Sequence, residues 1–185
     1  MRLKSTYAAV TAAGIFISVP AAATSYLSLE EAQKIFFPEA SHFTREKIIF
    51  SPEQKKELKN RTGVTVTNIA QPIWRAFKSE NSKAVLLGYF IFDAVIGKHD
   101  LIDYAVGLSP DGTVTGVEIL TYRESYGSEI RNKHWRKQFR GKTLSSPLKL
   151  NDDIQNIGGA TLSCRGVTEG IKKILGVYEI FLKGK

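Results

Sequence analysis

Residues 84–95 read AVLLGYFIFDAV, residues 101–108 read LIDYAVGL, and residues 113–121 read TVTGVEILT. Each is a run of apolar and β-branched or aromatic residues bounded by polar breaks, the pattern of well-buried strands. Pro110, Asp111 and Gly112 between the last two supply tight-turn chemistry, and adjacent strands joined this closely pair antiparallel. Working upstream, Ser79–Ser82 is a polar turn, Pro72–Lys78 a short strand, and Val64–Ile69 alternates Val, Thr, Val, Thr like a half-buried strand. Two helices precede these. Ser28 and Glu31 form a capping-box pair ahead of a run to Phe36, stopped by Pro38. Ser51, Pro52 and Gln54 open a polar helix that Gly63 closes. Downstream, the spacing is helical from Ile130 to Phe139, Pro147–Ile157 is loop, and Val167, Ile171, Ile174 and Leu175 predict a closing helix to about Leu182. The order of elements predicts an α+β domain built on a mostly antiparallel sheet with flanking helices.

With 185 residues the chain is one domain, or one domain and a small appendage. The appendage is the N-terminus. Arg2 and Lys4 precede an uncharged run from Tyr7 to Val19, then Pro20 and Ala21–Ala23. That is the layout of a secretory signal, and the run falls short of the roughly 20 residues a spanning helix needs. The expectation is a signal peptide over residues 1–23, cleaved after Ala23, with an uncleaved anchor as the alternative, and a domain over residues 24–185 that works outside the cytoplasm. Losing Arg2 and Lys4 leaves 24 basic against 18 acidic residues, a charge of +6 where the whole chain has +8.

One cysteine excludes an intramolecular disulfide and any Cys-rich zinc or iron–sulfur centre. His42, His99 and His134 lie too far apart for an HExxH site. No GxSxG surrounds Ser163 and no GxGxxG is present, which argues against a hydrolase and a dinucleotide site of the usual kind. Basic residues cluster at Lys55–Arg61 and at Arg131–Lys142, the second interleaved with Trp135 and Phe139. Export and the lack of a binding motif speak against nucleic acid. These clusters read as solvated faces, with docking of an acidic redox partner next. Cys164 reads as packed and Trp135 as core, and Glu118 as pointing outward from a strand.

The chemistry concentrates in residues 153–164, DIQNIGGATLSC. This is a loop running into a helix N-terminus. Gly158 and Gly159 free the backbone to turn, Ala160 is small, and Thr161 and Ser163 put hydroxyls beside unpaired N–H groups at the positive end of a helix. Such a place favours a phosphate. A glycine turn with Thr161 as a simple helix cap explains the same features.

Asp153, then Gly159, Ala160 and Thr161, resembles the covalent flavinylation motif of the FMN-binding domain family, which includes the flavin-bearing G subunit of the Rnf complex and the C subunit of the sodium-pumping NADH:quinone oxidoreductase. Gly158 stands where the family usually has Ser or Thr. Tyr122–Gly127, Trp135, Phe139, Gly141 and Lys142 are similar to exported single-domain members. The resemblance implies an electron-transfer flavoprotein with FMN joined to Thr161 through a threonine phosphoester. It would be an electron carrier rather than an enzyme, and itself the substrate of an ApbE-type FAD:protein FMN transferase. It implies that Asp153, Gly158, Gly159, Ala160, Leu162 and Ser163 surround the attachment point, that Glu124, Ser125, Tyr126 and Gly127 lie at the flavin ring, and that the redox partner is membrane-bound or extracytoplasmic. Asp153 would serve recognition by the transferase or cap a local turn. The alternative is a non-redox module that binds a small phosphorylated ligand.

Overall fold

The computed structural model describes residues 24–124 and 127–185. The expected signal segment therefore lies outside the described residues. The strands are β1 (Thr24–Ser25), β2 (His42–Ile49), β3 (Ala70–Glu80), β4 (Lys83–Ile96), β5 (Leu101–Leu108) and β6 (Val114–Tyr122). The helices are α1 (Leu29–Phe36), α2 (Pro52–Thr62), α3 (Lys133–Lys137) and α4 (Thr161–Val177), the last prolonged by a π turn over Tyr178–Leu182. The strands form one six-stranded sheet in the order β1-β6-β5-β4-β3-β2, and every neighbouring pair is antiparallel. The expected α+β class, an antiparallel sheet with flanking helices, is what the chain forms.

Local chemistry explains the element ends. Ser28 Oγ accepts from Glu31 N–H while the Glu31 carboxylate accepts from Ser28 N–H at 2.7 Å, and Ser51 and Gln54 repeat the device at α2. Gly63 ends α2 in the left-handed region at φ 72°. Asn81 and Ser82 carry β3 into β4 with φ of 49° and 61°, the mirror-image turn that matches strand twist.

The sheet buries both faces, unequally. On one side α2 and α4 cover Ile73, Tyr89, Ile91, Tyr104, Val106 and their neighbours in the main core. On the other, α1 and the residues flanking it cover a smaller cluster around Ala76, Phe90, Ala105 and Leu120. Lys173 of α4 reaches Asp93 of β4 at 2.7 Å, and the Tyr104 hydroxyl donates to the same carboxylate, all of it buried.

Two expectations need correction, and one strand is added to them. Val64–Ile69 is irregular, not strand, and β3 begins at Ala70. Its alternation puts Val66 into the core but leaves Ile69 73% exposed, because alternation reports which face a side chain takes and not whether a partner strand exists. β2 carries four charged or imidazole side chains in eight residues and escaped detection. It is an edge strand, and edges are kept charged to block further pairing. The helix expected over residues 130–139 is a 3₁₀ turn (Ser128–Arg131) and a five-residue helix, separated where Asn132 leaves helical dihedrals and caps His134 N–H at 2.8 Å.

Candidate functional site

Three segments far apart in sequence meet at one end of the sheet. They are the β4–β5 hairpin tip (Lys98, His99, Asp100), the residues just past β6 (Arg123, Glu124) and the start of α4 (Gly159 to Ser163). Together they enclose a cavity of about 600 Å³, within the range of ligand pockets. Thr161 lies in its wall.

The local fold explains that placement. Gly159 adopts φ 83°, a left-handed conformation that glycine tolerates, and no atom lies within 4 Å of where a Cβ would stand on Gly158 or Gly159. Ala160 N–H bonds to Ile157 O at 3.0 Å, closing the turn, and Cys164 N–H is the first to bond back into α4, to Ala160 O at 2.8 Å. Thr161 is thus the first helical residue. The capping position belongs to Ala160, whose side chain accepts nothing. The role of a capping threonine falls away, and the first-turn N–H groups of a 17-residue helix face the cavity without a side-chain cap.

Asn156 reaches Thr161 Oγ1 through Nδ2 at 3.0 Å, while Asn156 Oδ1 is buried without a partner. Ser163 shares a 3.2 Å hydrogen bond with the Tyr122 hydroxyl, whose pKa burial raises. Cys164 is fully buried and burial pushes its thiol up, so it is packed and unreactive.

Glu124 has a defined structural task. One carboxylate oxygen accepts from the backbone N–H groups of Lys98, His99 (2.9 Å) and Asp100 (3.3 Å), clamping the hairpin tip to the segment after β6. A Cβ on Gly97 would stand 2.3 Å from that same oxygen, which accounts for the glycine. Arg123 pairs with Asp103 at 2.7 Å, and that hydrogen bond holds its guanidinium above its ordinary pKa.

Of the residues expected at the site, Glu124, Gly159, Ala160, Thr161, Leu162 and Ser163 line the cavity. Gly158 lies exposed on the adjoining turn. Gly127 sits behind the loop, where a Cβ would meet the Tyr122 hydroxyl at 2.6 Å and Ala160 Cβ at 3.2 Å. Asp153 is away from the cavity. It accepts from Leu148 and Lys149 N–H and pairs with Lys142 at 2.8 Å, so of its two expected roles the turn cap is the one its geometry serves. Ser125 and Tyr126 lie outside the described residues. Sequence reasoning misses Lys98, His99, Asp100 and Arg123. Their signal is a charged tip following Gly97 between two apolar strands. Glu118 does not point freely outward, because it is paired with Arg136. Trp135 is core, its indole N–H donating to Gln155 O at 2.7 Å.

The residues fit a flavin mononucleotide. The uncapped helix start supplies N–H donors to a phosphate, and the Thr161 hydroxyl in the cavity wall is placed to carry its ester. Leu162, 46% exposed at the cavity, offers an apolar surface to a ring.

Comparison with known proteins agrees. Over 87 residues the chain is 29% identical to the G subunit of the Na(+)-translocating ferredoxin:NAD(+) oxidoreductase complex of Acetobacterium woodii, covering 42% of each chain. Over 121 residues it is 29% identical to the G subunit of the ion-translocating oxidoreductase complex of Aliivibrio fischeri, covering 60% of this chain and 56% of that one. The chain thus spans about half the length of these curated relatives. Its fold is that of NqrC from Shewanella oneidensis, with a TM-score of 0.52 over 84% of this chain and 88% of the other at 16% identity. The C subunit of the Na(+)-translocating NADH-quinone reductase of Parabacteroides distasonis gives 0.51 over 86% of each chain at 18% identity. Residues 97–176, from the Gly97 turn to Gly176 in the closing helix, match the model of the FMN-binding domain.

Proposed function

We propose that the protein is an extracytoplasmic electron-transfer flavoprotein that carries FMN covalently through a phosphoester on Thr161. The supporting observation is the position of Thr161 Oγ1, in the cavity wall at an uncapped helix start, beside an exposed glycine turn. Threonine is a poor nucleophile unaided, and among the described residues the hydrogen-bond partner of Thr161 Oγ1 is the Asn156 amide, which is no base. An ApbE-type transferase is therefore required, which breaks the pyrophosphate bond of FAD, joins the FMN phosphorus to Thr161 Oγ1 and releases AMP. Gly158 and Gly159 leave the turn open to that enzyme.

Once bound, FMN supplies one- and two-electron chemistry. The chain's own residues would orient it. The α4 N–H groups would hold the phosphate, the Glu124 clamp holds the hairpin wall in place, and Leu162 would offer its apolar surface to the ring. Electrons come from and go to other proteins. The relatives are subunits of ion-translocating oxidoreductase complexes, which supports a membrane redox partner. Among the described residues no helix is long and apolar enough to cross a membrane.

The test is coexpression with a flavin transferase. We expect a yellow protein that keeps its colour through acid precipitation and gains the mass of an FMN group. Thr161→Val, which keeps the shape without the hydroxyl, should fold and lose the increment. Covalent FMN on that variant would reject the assignment, and a colourless wild type under these conditions would favour a non-redox ligand module.

A further inference from the structure

The basic stretch around α3 divides into employed and unemployed charges. Arg131 lies over the Tyr26 ring, 3.2 Å from its centroid. Arg136 is tied to Glu118 and donates to Val117 O at 2.7 Å. Lys133, Lys137 and Arg140 form no ion pair among the described residues. All three are exposed, on the face of the segment opposite the buried Trp135 and Phe139. With Arg136 they rim a groove of about 260 Å³. Its other wall is the end of α1, Ile35 and Phe36, and its floor is the start of β6. Ile35 is 53% exposed, and the Thr115 hydroxyl oxygen in the floor is buried with no partner.

Three uncompensated cations on one face repel each other, and the one carboxylate in the groove is consumed by Arg136. The groove is therefore electrostatically complementary to carboxylates. A free phosphate would use the cations and leave Ile35 wet, and a flat bilayer surface does not enter a groove walled by α1 and α3. A peptide that carries acids along one side and an aliphatic residue on the other satisfies both walls. We propose that the groove between α1 and α3 is the docking site for an acidic segment of a partner protein, whose carboxylates pair with Lys133, Lys137 and Arg140 while an aliphatic side chain covers Ile35.

The position of the groove says what the contact is for. Thr115 and Arg123 stand at opposite ends of β6, roughly 25 Å apart at ~3.3 Å per residue. A segment held here leaves the cavity mouth free, so the groove is an assembly contact and not the port through which electrons pass. It stands apart from the flavin reading and is tested without flavin.

The test uses the protein without flavin and two fluorescein-labelled peptides of equal length, one all glutamate and one alternating glutamate with leucine. The alternating peptide should bind more tightly, with affinity falling as salt rises. Its binding should drop at least about tenfold in the K133E/K137E/R140E variant, with the circular dichroism spectrum and melting unchanged. Ile35→Ser should erase the advantage of leucine and leave the all-glutamate peptide unaffected. Amide shift changes should centre on Thr115 and on residues 133–140. Equal binding by the charge-reversed variant, retention of the leucine advantage in Ile35→Ser, or tighter binding of inorganic pyrophosphate or phosphatidylglycerol vesicles than of peptide would each overturn the proposal.

Discussion

At the scale of single residues, the acid of the motif and the threonine of the motif have parted. Eight positions separate Asp153 from Thr161, yet only Thr161 reaches the cavity. Asp153 holds the loop that leads there. Burial works against its charge, but Lys142 and the N–H groups of Lys149 and Leu148 outweigh it, and its pKa falls below the ordinary carboxylate value. A depressed folded pKa contributes stability that is present above the unfolded pKa, near 3.9, and is lost as pH falls through the lower folded value. Asp153→Asn should therefore destabilise by about 2 kcal/mol at neutral pH, the loss of charge-assisted hydrogen bonds. In urea titrations the gap from wild type should close progressively below about pH 4. A gap that stays constant into acid would show that shape, and not charge, is what Asp153 provides.

At the scale of elements, α4 links site and scaffold. Its first turn forms the cavity wall and its middle lies close against β4 and β5 through glycines. A Cβ on Gly170 would stand 2.0 Å from the Tyr104 hydroxyl oxygen and 3.0 Å from Val95. Gly170→Ala gains roughly 1 kcal/mol in helix propensity, but Tyr104 is fully buried and cannot step aside without disturbing Asp93. The net expectation is destabilisation by about 1–3 kcal/mol, the cost of overpacking, measurable as a lower thermal midpoint. A stabilised variant would mean that α4 can lift from the sheet more easily than its packing indicates. The three glycines at 166, 170 and 176 look like weak points in a helix when read as propensities. Packing gives them their reason, because Gly176 too faces Thr62 of α2, where a Cβ would stand 2.5 Å from a side-chain carbon.

At the scale of the whole molecule, the buried Lys173–Asp93 pair ties the helix that carries Thr161 to the centre of the sheet. Lys173→Met leaves Asp93 buried and unpaired beside Tyr104 and should cost about 3–5 kcal/mol. Adding Asp93→Asn should recover part of that loss, since a neutral amide needs no counter-charge. Failure of the second change to recover any stability would place the loss in packing and not in the stranded charge. The cavity itself is also a property of the whole. Its walls come from residues 98–100, 123–124 and 159–163, which meet because β4, β5 and β6 are adjacent in the sheet and α4 returns across them.

Local chemistry alone determined much of this protein. Turn residues, capping boxes and apolar runs set α1, α2, the three central strands and the closing helix, because each of those signals acts within a few residues. The short stretch around Thr161 carried the resemblance to the family, because Gly159, Ala160 and Thr161 are contiguous, while its local chemistry fitted a simple glycine turn equally well. Tertiary structure decided what depends on partners distant in sequence. It placed a charged strand, β2, at the sheet edge, and it denied Val64–Ile69 a partner despite their alternation. It sent Asp153 and Gly127 to support the loop from behind and brought Lys98, His99, Asp100 and Arg123 to the cavity. It also separated Arg131 and Arg136, spent on Tyr26 and Glu118, from Lys133, Lys137 and Arg140, which face solvent. A sequence states which charges are present, but only the folded chain shows which of them are already paired.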